Sequence, residues 1–180
     1  WSNVNLTSGL ETNGIWILWL VSSIFPLSTC SRIVPLFFNS ANKIFVIFIA
    51  SNTNEKRADD FIALDKARFK YKLLHEGYFQ TRDVFENIKK LKYILKKYEY
   101  KKVLVSGWDL KEFWYIIFTN PQLKNCLALE STINESRTDG IRGWVKKIFL
   151  SRISTVFASG NLHKELLDAL SYKGNIKITK

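Results

Sequence analysis

The chain has 180 residues, 47% hydrophobic and 24% charged, which suits one domain with its own core and excludes a disordered polymer. A net charge of +11 predicts attraction to anions: nucleic acid, lipid headgroups or phosphorylated substrates. Two cysteines, Cys30 and Cys126, make neither a disulfide framework nor a four-ligand zinc site, and they fit a reducing compartment.

The chain opens on Trp1 and contains no Met, which predicts a segment of a longer protein. Residues 1–13 are polar and read as a flexible lead-in. The triplet Asn5-Leu6-Thr7 matches a glycosylation acceptor, but the low cysteine count argues against secretion. The apolar run 14–27 is shorter than the roughly 20 residues that span a bilayer, and no basic region precedes it. Within it, 15–21 reads as a strand buried on both faces, as in a parallel sheet. A turn holding Pro26 follows, then a short helix over 32–41 and a second buried strand over 43–50. Together these make a unit of βαβ size.

Residues 51–60 form a polar loop, and 69–74 an ambiguous third strand. Over 81–98 Val84, Ile88, Leu91 and Leu95 recur at helical spacing with lysines on the remaining face. The strand 102–106 ends at Gly107, and an aromatic helix over 108–118 stops at Asn120-Pro121. The strand 125–130, helix 140–152, strand 155–159 and helix 161–172 come next. Gly174 reads as the cap after that last helix, before a final strand at 175–179. Regular alternation predicts an α/β fold: a Rossmann-like parallel sheet with helices on both faces, filling residues 14–180.

Ligands of such sheets bind at the carboxyl ends of the strands, so the loops after each strand hold the candidates. No G-x-G-x-x-G, Walker A or nucleophile-elbow sequence occurs there. His75 and His163 are isolated, and no metal site is expected. Glu130 closes an apolar strand and could take a proton from an attacking hydroxyl, or instead cap the following backbone or pair with Arg137. Arg137 and Arg142, near a helix start, could hold a phosphate or stand in solvent. Ser159-Gly160-Asn161 sets a glycine before a helix, where backbone N–H groups suit an anion, or makes an ordinary turn. The lysine-rich stretch 89–102 and the segment with Trp144, Lys146, Lys147 and Phe149 are basic and aromatic. They fit either an anionic membrane surface or a solvated helix face.

The C-terminal half carries, in order, Gly107-Trp108, Glu130-Ser131, Lys146-Lys147, Ser159-Gly160, His163 and Lys173-Gly174. Upstream stand Ser31-Arg32-Ile33-Val34-Pro35-Leu36-Phe37 and Asn54-Glu55-Lys56-Arg57. In order and spacing this series resembles family 4 glycosyltransferases of GT-B architecture, over roughly residues 15–180. The first loop lacks the glycine-rich turn of many members, and Glu130 stands where other branches have a histidine. The resemblance implies the N-terminal, acceptor-side domain of an enzyme that moves a sugar from a nucleotide sugar to a glycan or lipid-linked acceptor. It implies bacterial surface-polysaccharide synthesis, at the cytoplasmic face of the plasma membrane, and no metal cofactor. Glu130 would be the catalytic base. Arg32, Gly107, Trp108, Asp109, Ser131, Arg137, Arg142, Ser159 and Gly160 would line the substrate cleft. The donor-binding C-terminal domain is absent from this chain, so the fragment alone is expected to be inactive. Two other readings fit the basic charge or the missing domain: a Rossmann-like nucleic-acid-binding module, without any recognised motif, and a non-catalytic partner domain.

Overall fold

A computed structural model describes residues 15–21, 44–52 and 70–178. Its strands are β1 (Ile15–Val21), β2 (Ile44–Asn52), β3 (Lys70–Tyr78), β4 (Tyr100–Ser106), β5 (Asn125–Leu129), β6 (Thr155–Ala158) and β7 (Asn175–Ile178). They form one sheet in the order β3-β2-β1-β4-β5-β6-β7, and every pairing is parallel. In β1, Leu18 pairs with Phe45 on one side and Val103 on the other. The order reverses between β1 and β4, as in Rossmann-like sheets.

Four helices belong to the described residues: α1 (Val84–Lys97), α2 (Lys111–Thr119), α3 (Gly140–Leu150) and α4 (Asn161–Ala169). Strand side chains alternate between faces. Phe45, Ile47 and Ile49 of β2, Val103 and Val105 of β4, Leu127 and Leu129 of β5 and Val156 of β6 form one core cluster. Leu91 and Ile94 of α1, Phe113, Ile116 and Ile117 of α2, Phe149 and Leu150 of α3, and Leu166 and Leu167 of α4 complete it. The four helices therefore cover one face. On the other face Val46, Ala50, Leu104, Cys126 and Ala128 are buried as well. The β1–β2 and β2–β3 connections, with the expected 32–41 helix, lie outside the described residues.

Several element ends differ from those expected, each for a local reason. Helix α1 begins at Val84, because the Asp83 carboxylate accepts the N–H groups of Phe85 and Glu86 at 2.8 and 3.1 Å and so caps the first turn. Residues 79–81 form a separate 3₁₀ turn. Helix α2 begins at Lys111, three residues later than expected. Gly107 has φ +101°, and the Trp108 carbonyl is taken by the Trp114 indole N–H at 2.7 Å. Strand β3 runs on to Tyr78, tied to β2 where Ser51 Oγ accepts the Gly77 N–H at 2.8 Å. As a sheet edge it alternates exposed and covered residues, a weaker apolar signal than that of an inner strand. After α4 the left-handed residue is Ser171, φ +58°, and not the expected Gly174. Gly174 serves packing instead: a Cβ there would overlap the Tyr172 hydroxyl.

A buried ion pair joins the starts of α1 and α2. Glu112 is fully buried, and Arg82 Nε lies 2.8 Å from its Oε1. Arg82 also donates to Glu112 Oε2 and the Phe79 carbonyl, at 3.4 and 3.0 Å, and its guanidinium stacks 3.6 Å from the Phe79 ring centre. Buried Asn87 donates to the same carboxylate at 3.4 Å. A carboxylate in an apolar core is tolerated only with such partners. Arg82→Ala is therefore expected to lower unfolding stability by about 3–5 kcal/mol, since it strands the buried charge. In urea denaturation the double variant Arg82→Met, Glu112→Leu should recover most of that loss, because no charge is then left behind.

Candidate functional site

Parallel pairing aligns the carboxyl ends of β4, β5 and β6. Ser106 pairs with Ala128, and Leu129 with Ala158. Neighbouring strands lie about 4.8 Å apart, so the segments Gly107–Asp109, Glu130–Ser131 and Ser159–Gly160 leave the sheet side by side. Of the expected site residues, all but Arg32 belong to the described part of the chain; Arg32 lies outside it.

The β4 segment is built on Gly107. At φ +101° this position favours glycine, and a Cβ there would approach the Asp109 carboxylate at 3.8 Å. Trp108 is half-buried and its ring centre lies 5.4 Å from Lys146 Nζ, a cation–π distance. Asp109 is exposed. Glu130 is also exposed and stands one residue beyond β5, outside the strand that was expected to include it. Its carbonyl lies 3.0 Å from His163 Nε2. A carbonyl only accepts, so Nε2 carries the proton in this contact. The Ile133 N–H donates to the Leu162 carbonyl at 3.2 Å, a second tie between the β5 loop and the start of α4. Gly160 precedes α4 in extended backbone, with φ 169°.

Arg137 and Arg142 are both exposed. The Arg137 carbonyl accepts from Lys146 Nζ at 2.8 Å. Lys146 is pushed below the ordinary lysine range by burial and by the Arg142 charge, while Asp109 opposes the shift. Asp109, Arg142, Lys146 and the Trp108 ring thus share one electrostatic neighbourhood. It links the β4 loop to α3, a juxtaposition that sequence order alone does not contain. Lys146 and His163 were legible as a basic-face residue and a helix-start residue; their loop contacts needed the fold. Gly143 allows the close approach of α3 to its own lead-in loop, since a Cβ there would overlap the Thr138 carbonyl.

The arrangement can hold a polar ligand along the row of loops, with a carboxylate at its middle and cations at one side. Among the described residues no group of three or more His, Cys, Asp or Glu side chains could hold a metal ion. A cavity of about 560 Å³ lies at the opposite, amino edge of the sheet, where Gln122, Lys147, Tyr172 and Lys173 contribute to its lining. Two of its hydroxyls are already used internally: Ser151 Oγ donates to the Ile148 carbonyl and Ser154 Oγ to that of Asn125, at 2.7 and 2.8 Å. The C-terminal ends of α3 and α4 point toward it, which disfavours an anion there. The carboxyl-edge row is the better candidate. No family model, no curated protein and no solved structure matches the chain.

Gly143 of α3 and Gly160 of the row differ in environment. Gly143→Ala is expected to lower stability by about 1–3 kcal/mol through overpacking against Thr138. Gly160→Ala should stay within about 0.5 kcal/mol, because its backbone is extended and nothing lies within 4 Å of the added Cβ. Thermal unfolding of the two variants checks this difference, and a destabilised Gly160→Ala would contradict it.

Proposed function

We propose that the chain is the acceptor-side domain of a nucleotide-sugar-dependent glycosyltransferase of GT-B type, acting on a glycan or lipid-linked acceptor. The observation that carries the proposal is the row formed by the carboxyl ends of β4, β5 and β6. It brings Gly107, Trp108 and Asp109 beside Glu130, Ser131, Ser159 and Gly160. That edge of a doubly wound sheet is where ligands bind.

The roles follow from chemistry. An acceptor hydroxyl is a poor nucleophile until a base removes its proton, and Glu130 offers an exposed carboxylate at the centre of the row. Its backbone is held through the His163 contact, which steadies the side chain's origin. Ser131, Ser159 and Asp109 supply polar atoms for sugar hydroxyls, and the face of Trp108 offers an apolar platform. Arg142, with Arg137 beside Lys146, supplies positive charge for a phosphate or other acidic group. The nucleotide sugar itself would be bound chiefly by a second domain across the cleft.

In an enzyme that carries this chain together with a donor-binding domain, Glu130→Gln should lower kcat by about 10²- to 10⁴-fold with folding nearly unchanged. Full activity in that variant would remove Glu130 from the reaction and leave Asp109 as the next candidate base. For residues 1–180 alone the expected result is no turnover of a nucleotide sugar, and amide NMR shifts at Gly107, Ser131 and Gly160 on adding acceptor glycans. Shifts confined to Lys173 and Gly174 would sink the proposed cleft.

A further inference from the structure

Helix α3 is apolar on two sides. Its inner side is accounted for by Gly143, Phe149 and Leu150, all buried. A second apolar row, Ile141, Trp144, Val145 and Ile148, recurs at i, i+3, i+4 and i+7, the spacing of one helix face. That row points away from the sheet. Ile141 is 81% exposed, Trp144 63% and Val145 37%. Arg142 flanks the row on one side and Lys147 on the other, both exposed. The helix itself, Gly140–Leu150, contains no acidic residue. Helix α1 lies on the same face of the sheet, and its Lys89, Lys92 and Lys96 are exposed as well.

We propose that α3 is a membrane-docking helix. It lies in the headgroup region of an anionic bilayer, with Ile141, Trp144 and Val145 inserted into the acyl boundary and Arg142 and Lys147 on lipid phosphates. An amphipathic helix lying in the interface presents this combination: an apolar stripe with Trp, rimmed by cations. Charge complementarity selects the occupant. The stripe is bordered by positive charge on both sides, and the whole chain carries +11, so the matching surface is negative. A nucleic acid is negative too, but aliphatic Ile and Val offer it neither hydrogen bonds nor ring stacking. A folded protein partner would need about 800 Å² from each side, far more than one stripe on an eleven-residue helix. The docking surface does not rest on the glycosyl-transfer reading: Ile141, Trp144, Val145 and Lys147 have no part in the proposed cleft, and only Arg142, at the border of the two, is shared, so loss of vesicle binding in Trp144→Ser bears on the docking surface alone.

The test is co-sedimentation of the purified 180-residue chain with vesicles of phosphatidylcholine alone or mixed equally with phosphatidylglycerol. Binding to the anionic vesicles only, weakening as salt is raised, is expected. Trp144→Ser should lower the partition coefficient about tenfold at low salt, where the charges still act. The pair Arg142→Glu, Lys147→Glu should lower it at least tenfold by reversing the rim. All three positions are exposed, so circular dichroism and the melting temperature should stay as in the unmodified chain, and Phe85→Ser on α1 should leave binding within about twofold. The proposal is overturned if neutral vesicles bind equally well, if Trp144→Ser binds as the unmodified chain does, or if vesicles fail to bind while a DNA or RNA oligomer binds in a Trp144-dependent way.

Discussion

A parallel strand cannot be reached by a tight turn. Each pair needs a crossover that carries the chain back to the same edge of the sheet. In this chain that constraint organises everything else. Every described strand runs the same way, so every strand leaves the sheet at one edge and re-enters at the other. The loops at the carboxyl edge become neighbours although they lie some twenty to thirty residues apart in sequence. Gly107, Glu130 and Gly160 stand side by side for this reason, and for no reason that could be read from any one of them.

The helical layer is held at both edges by polar contacts set into an apolar core. At the carboxyl edge the Glu112 carboxylate takes hydrogen bonds from Arg82 and Asn87, which joins the lead-in of α1 to the first turn of α2. At the amino edge Asn125, fully buried, donates to the carbonyls of Ile117 and Arg152 at 2.8 and 2.9 Å. Arg152 in turn donates to the Asn120 carbonyl at 3.0 Å, and the Tyr100 hydroxyl to Asn120 Oδ1 at 2.6 Å. Such groups contribute little net stability when paired but are costly when broken. A helix packing that parted these groups would leave them buried and unpaired, which is costly.

Helix α3 connects the two regions of interest. Its start carries Arg142 and Lys146 toward the Asp109 neighbourhood, while its outer stripe of Ile141, Trp144 and Val145 faces solvent. In the proposed arrangement, a ligand in the cleft and a lipid surface on the helical face would be held by one rigid element. A lipid-linked acceptor would then meet the cleft close to where the helix lies on the bilayer.

The parallel α/β architecture was legible in the sequence because near-continuous apolar runs such as 15–21, 43–50 and 102–106 are the pattern expected of strands in a parallel sheet. The helical spacing of Leu91 and Leu95, and the breakers at Gly107 and Asn120-Pro121, likewise marked elements the structure contains. These are local signals, written by a period and by backbone stereochemistry. The edge strand β3 was only half legible, since an edge position buries fewer of its residues. The start of α2 was not legible, since Trp108 is as apolar as the helix after it, and what holds it in the loop is the left-handed Gly107 before it together with the Trp114 contact to its carbonyl. At the site, the sequence by itself marked Glu130, Gly107 and Gly160 as strand-end residues. Tertiary structure alone decided that they are neighbours, that His163 reaches the Glu130 carbonyl, that Lys146 lies over Trp108, and that one apolar stripe of α3 is left outside the core. Distance between strand ends is set by sheet order, and exposure by which helix face meets the sheet. Neither quantity has a local code, because both arise only when the crossovers bring remote segments together.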